Sequence, residues 1–320
     1  MVNRIPKIMI AVTTYNKMSK YLDAFLRGIK SQTYQKFDVV FCDNSLDDEY
    51  AKKIEGLGYK VLRSSPNPVI HIAVRDASNT LRDYFLSNHY DLMWILEQDQ
   101  IPSPITLEKL IKAEKEVIGI PYLLNKNNDL VCVHDPEDHQ ILTYSELRVM
   151  AHKQKKDIIK VWGCGHGAVL VSRRVIEMLE FRVDNENGKT PCASPDTWWY
   201  VDLWKKKVPV YCITTLMSDH LRITPRSMVG DDAIELDRVI FVKCMGDYFN
   251  SAVWDNVSLL RGQVKKLPKF VSRITYEALF NQKLLYEVNA VKNYEDKISS
   301  VEERKKSKVE YKTKYDKEMN

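Results

Sequence analysis

Apolar residues in the first ~220 positions come in short runs whose period switches between that of a strand and that of a helix. Lys7 to Thr14 is β-rich and largely apolar, and predicts a strand. Lys17 to Gln32 carries Leu22, Phe25, Leu26 and Ile29 at helical spacing. Phe37 to Cys42 reads as a strand covered on both faces. Asp47 to Leu57 suits a helix, Lys60 to Leu62 a strand, and Ala73 to Leu86 a helix with Ala73, Ala77, Leu81 and Phe85 on one side. Leu92 to Leu96 predicts a buried strand. Pro102 and Pro104 then break the chain, a helix starts near Thr106, and Val117 to Ile120 is a strand. This alternation predicts an α/β fold with a mostly parallel central sheet flanked by helices. From Pro268 the spacing is again helical (Val271, Ile274, Leu279, Leu284, Leu285, Val288), which predicts a helical C-terminal extension. The expected organisation is a domain over 1–222, a wrapping and helical segment over 223–298, and a charged, frayed or disordered tail over 299–320.

Polar residues cluster where the predicted strands end. Thr13, Thr14, Tyr15 and Asn16 follow the first; Asp43, Asn44, Ser45, Asp47 and Asp48 the second; Glu97, Gln98 and Asp99 follow Leu92–Leu96. Any one cluster is explained by turn chemistry. Three at successive strand ends point to a site, because ligands of such sheets bind beyond the carboxyl ends of the strands. Glu97 and Asp99 are expected to point the same way if the segment is extended. Their repulsion favours a cation, and magnesium typically takes one or two carboxylates plus substrate phosphates. Gly163-Cys-Gly-His-Gly167 lets the backbone approach a ligand closely, but lacks the Lys-Ser/Thr ending of a nucleotide P-loop. His134, Asp135, Glu137, Asp138 and His139 surround Pro136 and read as an exposed turn rather than a metal site. Trp198, Trp199 and Trp204 suit a helix core better than a sugar platform.

These segments resemble inverting family 2 glycosyltransferases of the GT-A fold. Ile8–Lys17 is similar to their opening strand, Phe41–Asp48 to their second-strand motif, and Leu96-Glu-Gln-Asp-Gln100 to their DxD motif with Glu in the first position. Ser194-Pro-Asp-Thr-Trp198 falls where they carry a Glu-Asp motif, and His220 resembles their late metal-binding histidine. The resemblance covers roughly residues 7–222, and its parts occur in family order. It implies that Thr13 and Tyr15 line a nucleotide pocket, with Asp43 against the donor base. Arg75, or Ser78 in another register, would lie near the base or phosphates, and Glu97 and Gln98 would border the donor. Glu97, Asp99 and His220 would address Mn2+ or Mg2+, and Asp196 would be the general base; a helix N-cap is its other reading. Arg82 and Asp202 read as structural. The implied substrates are a nucleotide-diphosphate sugar, UDP favoured, and a hydroxyl-bearing acceptor of open class, including a modified base in DNA. A sugar-nucleotide nucleotidyltransferase would carry a Gly-rich, basic signature near the first strand, which Thr13–Asn16 lacks. A non-catalytic binding module is the rival from another class.

Composition narrows this reading little. A chain of 320 residues holds one large domain or two small ones, and 44% hydrophobic with 28% charged residues excludes global disorder. The net charge is +5, while residues 261–320 hold 15 Lys/Arg against 9 Asp/Glu, so the positive excess is C-terminal. It suits an anionic partner, nucleic acid or a membrane surface, or simply a solvated tail of mixed charge. No apolar run approaches the ~20 residues of a membrane span. The N-terminus runs straight into the first strand, unlike a signal peptide. Six scattered cysteines fit neither a zinc ribbon nor a disulfide framework, so a cytoplasmic location is expected, with peripheral membrane attachment open.

Overall fold

The computed structural model describes residues 5–124, 130–184 and 193–221. Its strands are β1 (Ile8–Thr14), β2 (Phe37–Asp43), β3 (Lys60–Arg63), β4 (Leu92–Leu96), β5 (Gln100–Ile101), β6 (Val117–Gly119), β7 (Leu130–His134), β8 (Ile141–Thr143), β9 (Ile158–Val161), β10 (Gly163–Cys164), β11 (Ala168–Ser172), β12 (Val210–Ile213) and β13 (Asp219–His220). The helices are α1 (Leu22–Lys30), α2 (Glu49–Gly56), α3 (Ile70–Ser87), α4 (Thr106–Lys112), α5 (Tyr144–Gln154), α6 (Arg173–Met178) and α7 (Pro195–Lys205).

Eight strands form one sheet in the order β3-β2-β1-β4-β11-β6-β12-β9. Neighbours β3, β2, β1 and β4 run parallel, as do β6 and β12, whereas β11 and β9 run against their neighbours. The sheet is therefore mostly parallel, as the alternation of elements predicts. Both faces are covered. Met9 and Ala11 pack on one side with Ala77, Leu81 and Phe85 of α3; Ile10 and Val12 pack on the other with Leu22, Phe25 and Ile29 of α1. Burial of alternate residues on opposite faces explains why β1 reads as an unbroken apolar run. Two short antiparallel sheets, β10-β7-β8 and β13-β5, stand beside the large one.

The first helix differs from expectation. Asn16–Tyr21 is a 3-10 segment and the α-helix begins only at Leu22. Within this segment the Met18 carbonyl accepts a tertiary bond from Gln98 Nε2 at 2.9 Å. The 223–298 extension and the 299–320 tail lie outside the described residues, as do Cys192 and Cys244.

Candidate active site

Register aligns the ends of three strands. Thr14 lies beside Asp43, and Asp43 beside Arg63. Backbone bonds tie the first two ends together, since Asn44 N donates to Thr14 O at 3.0 Å and Asn16 N donates to Ser45 Oγ at 2.8 Å. Thr13 and Tyr15 are half-buried at this edge. Asp43 is fully buried. One of its oxygens accepts from Ser45 Oγ at 2.6 Å and the other from Arg63, whose guanidinium also donates to Ser45 O at 2.7 Å. Arg63 escapes sequence reasoning; its only local signal is its place at the end of a short strand, and its role comes from lateral pairing with β2.

Glu97-Gln98-Asp99-Gln100 is a turn, closed by a 3.0 Å bond from Gln100 N to Glu97 O. The extended geometry expected for the two carboxylates is therefore absent, and a shared direction does not follow from their spacing. Gln98 is the reason. It is fully buried, accepts from Thr14 Oγ1, and donates to Met18 O at 2.9 Å and Tyr50 Oη at 2.6 Å. Its amide thus pins the turn to β1, the 3-10 segment and α2, from inside the protein.

His220 reaches this turn through the β13-β5 pairing, in which it lies opposite Gln100, while Leu221 N donates to Asp99 O at 2.8 Å. His220 Nε2 stands 3.4 Å from Asp99 Oδ2, and Asp99 is only 1% exposed. Burial lowers the His220 pKa, but Asp99, the Leu123 carbonyl and Glu97 outweigh it, and the net shift is upward. Its Nδ1 lies 2.9 Å from Leu123 O. A bond from Nδ1–H to that carbonyl leaves Nε2 to face the site, the usual arrangement behind a metal-binding histidine. Among the described residues no three His, Cys, Asp or Glu side chains gather so as to hold a metal ion. Of the expected trio, the structure joins Asp99 and His220; Glu97 is half-buried beside them and acts on His220 electrostatically. A carboxylate with a correctly presented imidazole is a fitting donor pair for Mn2+ or Mg2+ completed by phosphate oxygens.

Asp196 is the second residue of α7. Ser194 occupies the N-cap and Pro195 the first helical position, so the N-cap reading of Asp196 does not hold. Its Oδ1 accepts from Ser194 Oγ and, at 2.8 Å, from Thr197 N. The carboxylate is half-buried. Tyr122 stands beside His220: the ring meets it edge-on at 5.4 Å, and the hydroxyl, raised in pKa foremost by burial, also feels the charges of Glu97 and Asp196.

The glycine segment serves Tyr122 as well. A Cβ on Gly165 or Gly167 would overlap the Tyr122 ring or hydroxyl, and one on Gly163 would lie 2.9 Å from Tyr200. Close approach is thus needed for these rings rather than for a ligand. Gly167 O also accepts from Glu97 N at 3.2 Å. Gly167→Ala is expected to destabilise the protein by about 1–3 kcal/mol and to lower activity through Glu97; urea unfolding and turnover check both. His166, packed against Phe181, Trp199 and Tyr200, is driven by burial to a pKa of about 4 against the pull of Asp196. Burial pushes the Cys164 thiol up to about 12, which removes it as a nucleophile.

Other candidate residues have partners within the fold. Arg75 lies on α3 with its guanidinium 2.7 Å from Asp76. Asn79 holds both backbone groups of Phe181 at 2.9 Å, and Arg82 donates to the carbonyls of Ile176 and Leu179 at the end of α6. Asp202 is structural, paired through both oxygens with Arg182. Trp198 and Trp199 are fully buried, but Trp204 is 44% exposed. The 134–139 segment is a turn in which Asp135 Oδ1 accepts from Glu137 N at 2.7 Å and Asp138 N at 3.1 Å. No helix among the described residues is long and apolar enough to cross a membrane.

Residues 9–177 match the family described as Glycosyl transferase family 2. No curated protein matches the chain. Among solved structures, mannosyltransferase PcManGT from Pyrobaculum calidifontis, in complex with GDP-Man and Mn2+, is 13% identical; the alignment covers 96% of this chain and 77% of that one, with a TM-score of 0.46. S. aureus TarS (residues 1–349) in complex with UDP is 12% identical, covering 83% and 76%, with a TM-score of 0.45. A mycobacterial protein is 12% identical, covering 76% and 74%, with a TM-score of 0.40.

Proposed function

The chain belongs to glycosyl transferase family 2 and is a glycosyltransferase, and from that premise we propose that it transfers a sugar, with inversion and divalent-metal dependence, from a nucleoside diphosphate donor (UDP by family habit) to a hydroxyl acceptor. The observation that carries this reading is the meeting of Asp99 and His220 at 3.4 Å, with the Tyr122 ring against His220. Asp99 and His220 would hold the ion, with Glu97 alongside. When bound, such an ion offsets the charge of the departing diphosphate.

The chain's own residues supply the rest. Thr13, Tyr15, Asp43 and Arg75 border the donor; Arg63 and Ser45 hold the Asp43 carboxylate in place. Gln98 sets the turn that presents Glu97 and Asp99. Asp196 takes the proton of the acceptor hydroxyl as its oxygen bonds to the anomeric carbon. The bond from that carbon to the diphosphate breaks on the opposite face, and its electron pair leaves with the diphosphate. Tyr122, 5% exposed, packs its ring against His220.

Nucleotide release from a panel of UDP- and GDP-sugars, with Mn2+ and with EDTA, tests the reading. It predicts release from at least one donor, abolished by the chelator. No release from any donor would mark a binding module, and release unaffected by EDTA would remove the metal.

A further inference from the structure

A groove of about 410 Å3 lies away from the strand-end site. Val161 of β9 pairs with Val210, where β12 begins, so the groove sits at the edge of the sheet opposite the carboxyl ends of the parallel strands. Helix α7 connects the two places: Asp196 is in its first turn, and Trp204 and Lys205 in its last.

Trp162, Trp204 and Pro136 form its walls, with Lys160, Lys205 and Lys207 around them. The Trp162 ring is held by His134 and His139 at 5.4 and 5.2 Å, and His139 stands edge-on to Trp204 at 6.4 Å. Trp204 is 44% exposed, and all three lysines are exposed. Among the described residues that line the groove none is acidic. Lys207 has a φ of 57°, the left-handed conformation that favours glycine at a helix end, yet a cationic side chain is present there.

Lys160 and Lys207 bring positive charge to one concavity, which attracts an anion. Bare phosphate has no use for an apolar wall and an exposed indole, whereas a sugar ring has an apolar face to lay on the indole and hydroxyls to reach the rim. Single-stranded nucleic acid needs successive exposed rings, and Trp204 is the exposed indole here. The 261–320 segment carries an excess of positive charge, which does not complement these lysines. We propose that this groove is an accessory binding site for an acidic saccharide, a sugar chain bearing carboxylate or phosphate groups. The proposal stands apart from the reading of the strand-end site, because its test is equilibrium binding.

Titration calorimetry of the full chain uses tetragalacturonate as the probe. Maltotetraose is the neutral counterpart, tripolyphosphate the bare anion, and octathymidylate the nucleic acid. Tetragalacturonate should bind, more weakly as salt rises, and about tenfold or more tighter than each of the other three. Trp204→Ala should weaken it about tenfold. Lys207→Gly should weaken it about two- to fivefold with an unchanged or higher melting temperature, since glycine relieves the left-handed backbone; a binding loss in this variant is therefore not a loss of fold. Donor turnover should be unchanged in both variants. Absence of tetragalacturonate binding, equal affinity for maltotetraose, indifference to both substitutions, or equal or tighter binding of tripolyphosphate or octathymidylate would each overturn the proposal.

Discussion

Replacing Asp196 by asparagine is expected to lower kcat about 100-fold or more while leaving donor affinity unchanged. Asparagine keeps the shape of the side chain, and its oxygen can still accept from Ser194 Oγ and Thr197 N. What it loses is the capacity to take a proton from the acceptor. A 100-fold effect corresponds to about 2.7 kcal/mol at the transition state. A purely helical role gives a different signature: an acid in the first turn contributes about 0.3–1 kcal/mol to stability and nothing to kcat. Steady-state kinetics and thermal unfolding of the variant therefore separate the two. Unchanged turnover with reduced stability would remove Asp196 from the chemistry.

Asp99→Asn should weaken Mn2+-dependent donor binding about 10- to 100-fold, the scale seen when a metal site loses its proper ligand environment. The rise in melting temperature that Mn2+ and UDP together give the native protein should shrink accordingly. The metal-free protein offers a second readout. The folded pKa of His220 is raised, so its stabilising pair with Asp99 is fully present below the ordinary histidine value of about 6.5. That contribution is lost as pH rises through the folded value. The stability gap between native protein and Asp99→Asn should thus be wider at about pH 5.5 than at about pH 9. A gap independent of pH would mean that the two side chains, although 3.4 Å apart, do not form an ion pair.

Local chemistry wrote some of this plainly. β1 and β4 are continuous apolar runs and β2 is buried over Val40–Asp43, so the polar residues that end these strands stand out. The order of motifs, more than any one of them, connected Asp99 with His220. Other features were illegible because they arise from contacts between distant segments. Gln98 turns inward to Thr14, Met18 and Tyr50, and this converts an expected extended pair of acids into a turn. Arg63 meets Asp43 only through β3-β2 pairing. Tyr122 fits against Gly165 and Gly167, so glycines that suggested room for a ligand make room for a ring. The reversal of β11 and β9 has no local signal, because buried strands look alike in either direction. Ser194 rather than Asp196 occupies the N-cap position of α7, although proline at the first helical position was a readable clue.

The most direct test of the central claim is anomalous diffraction from crystals soaked with UDP and Mn2+. The account predicts one manganese peak bounded by Asp99, His220 and the diphosphate, with the base on the Asp43 side. Ordered UDP with manganese bound elsewhere, or with no manganese at these two residues, would contradict it.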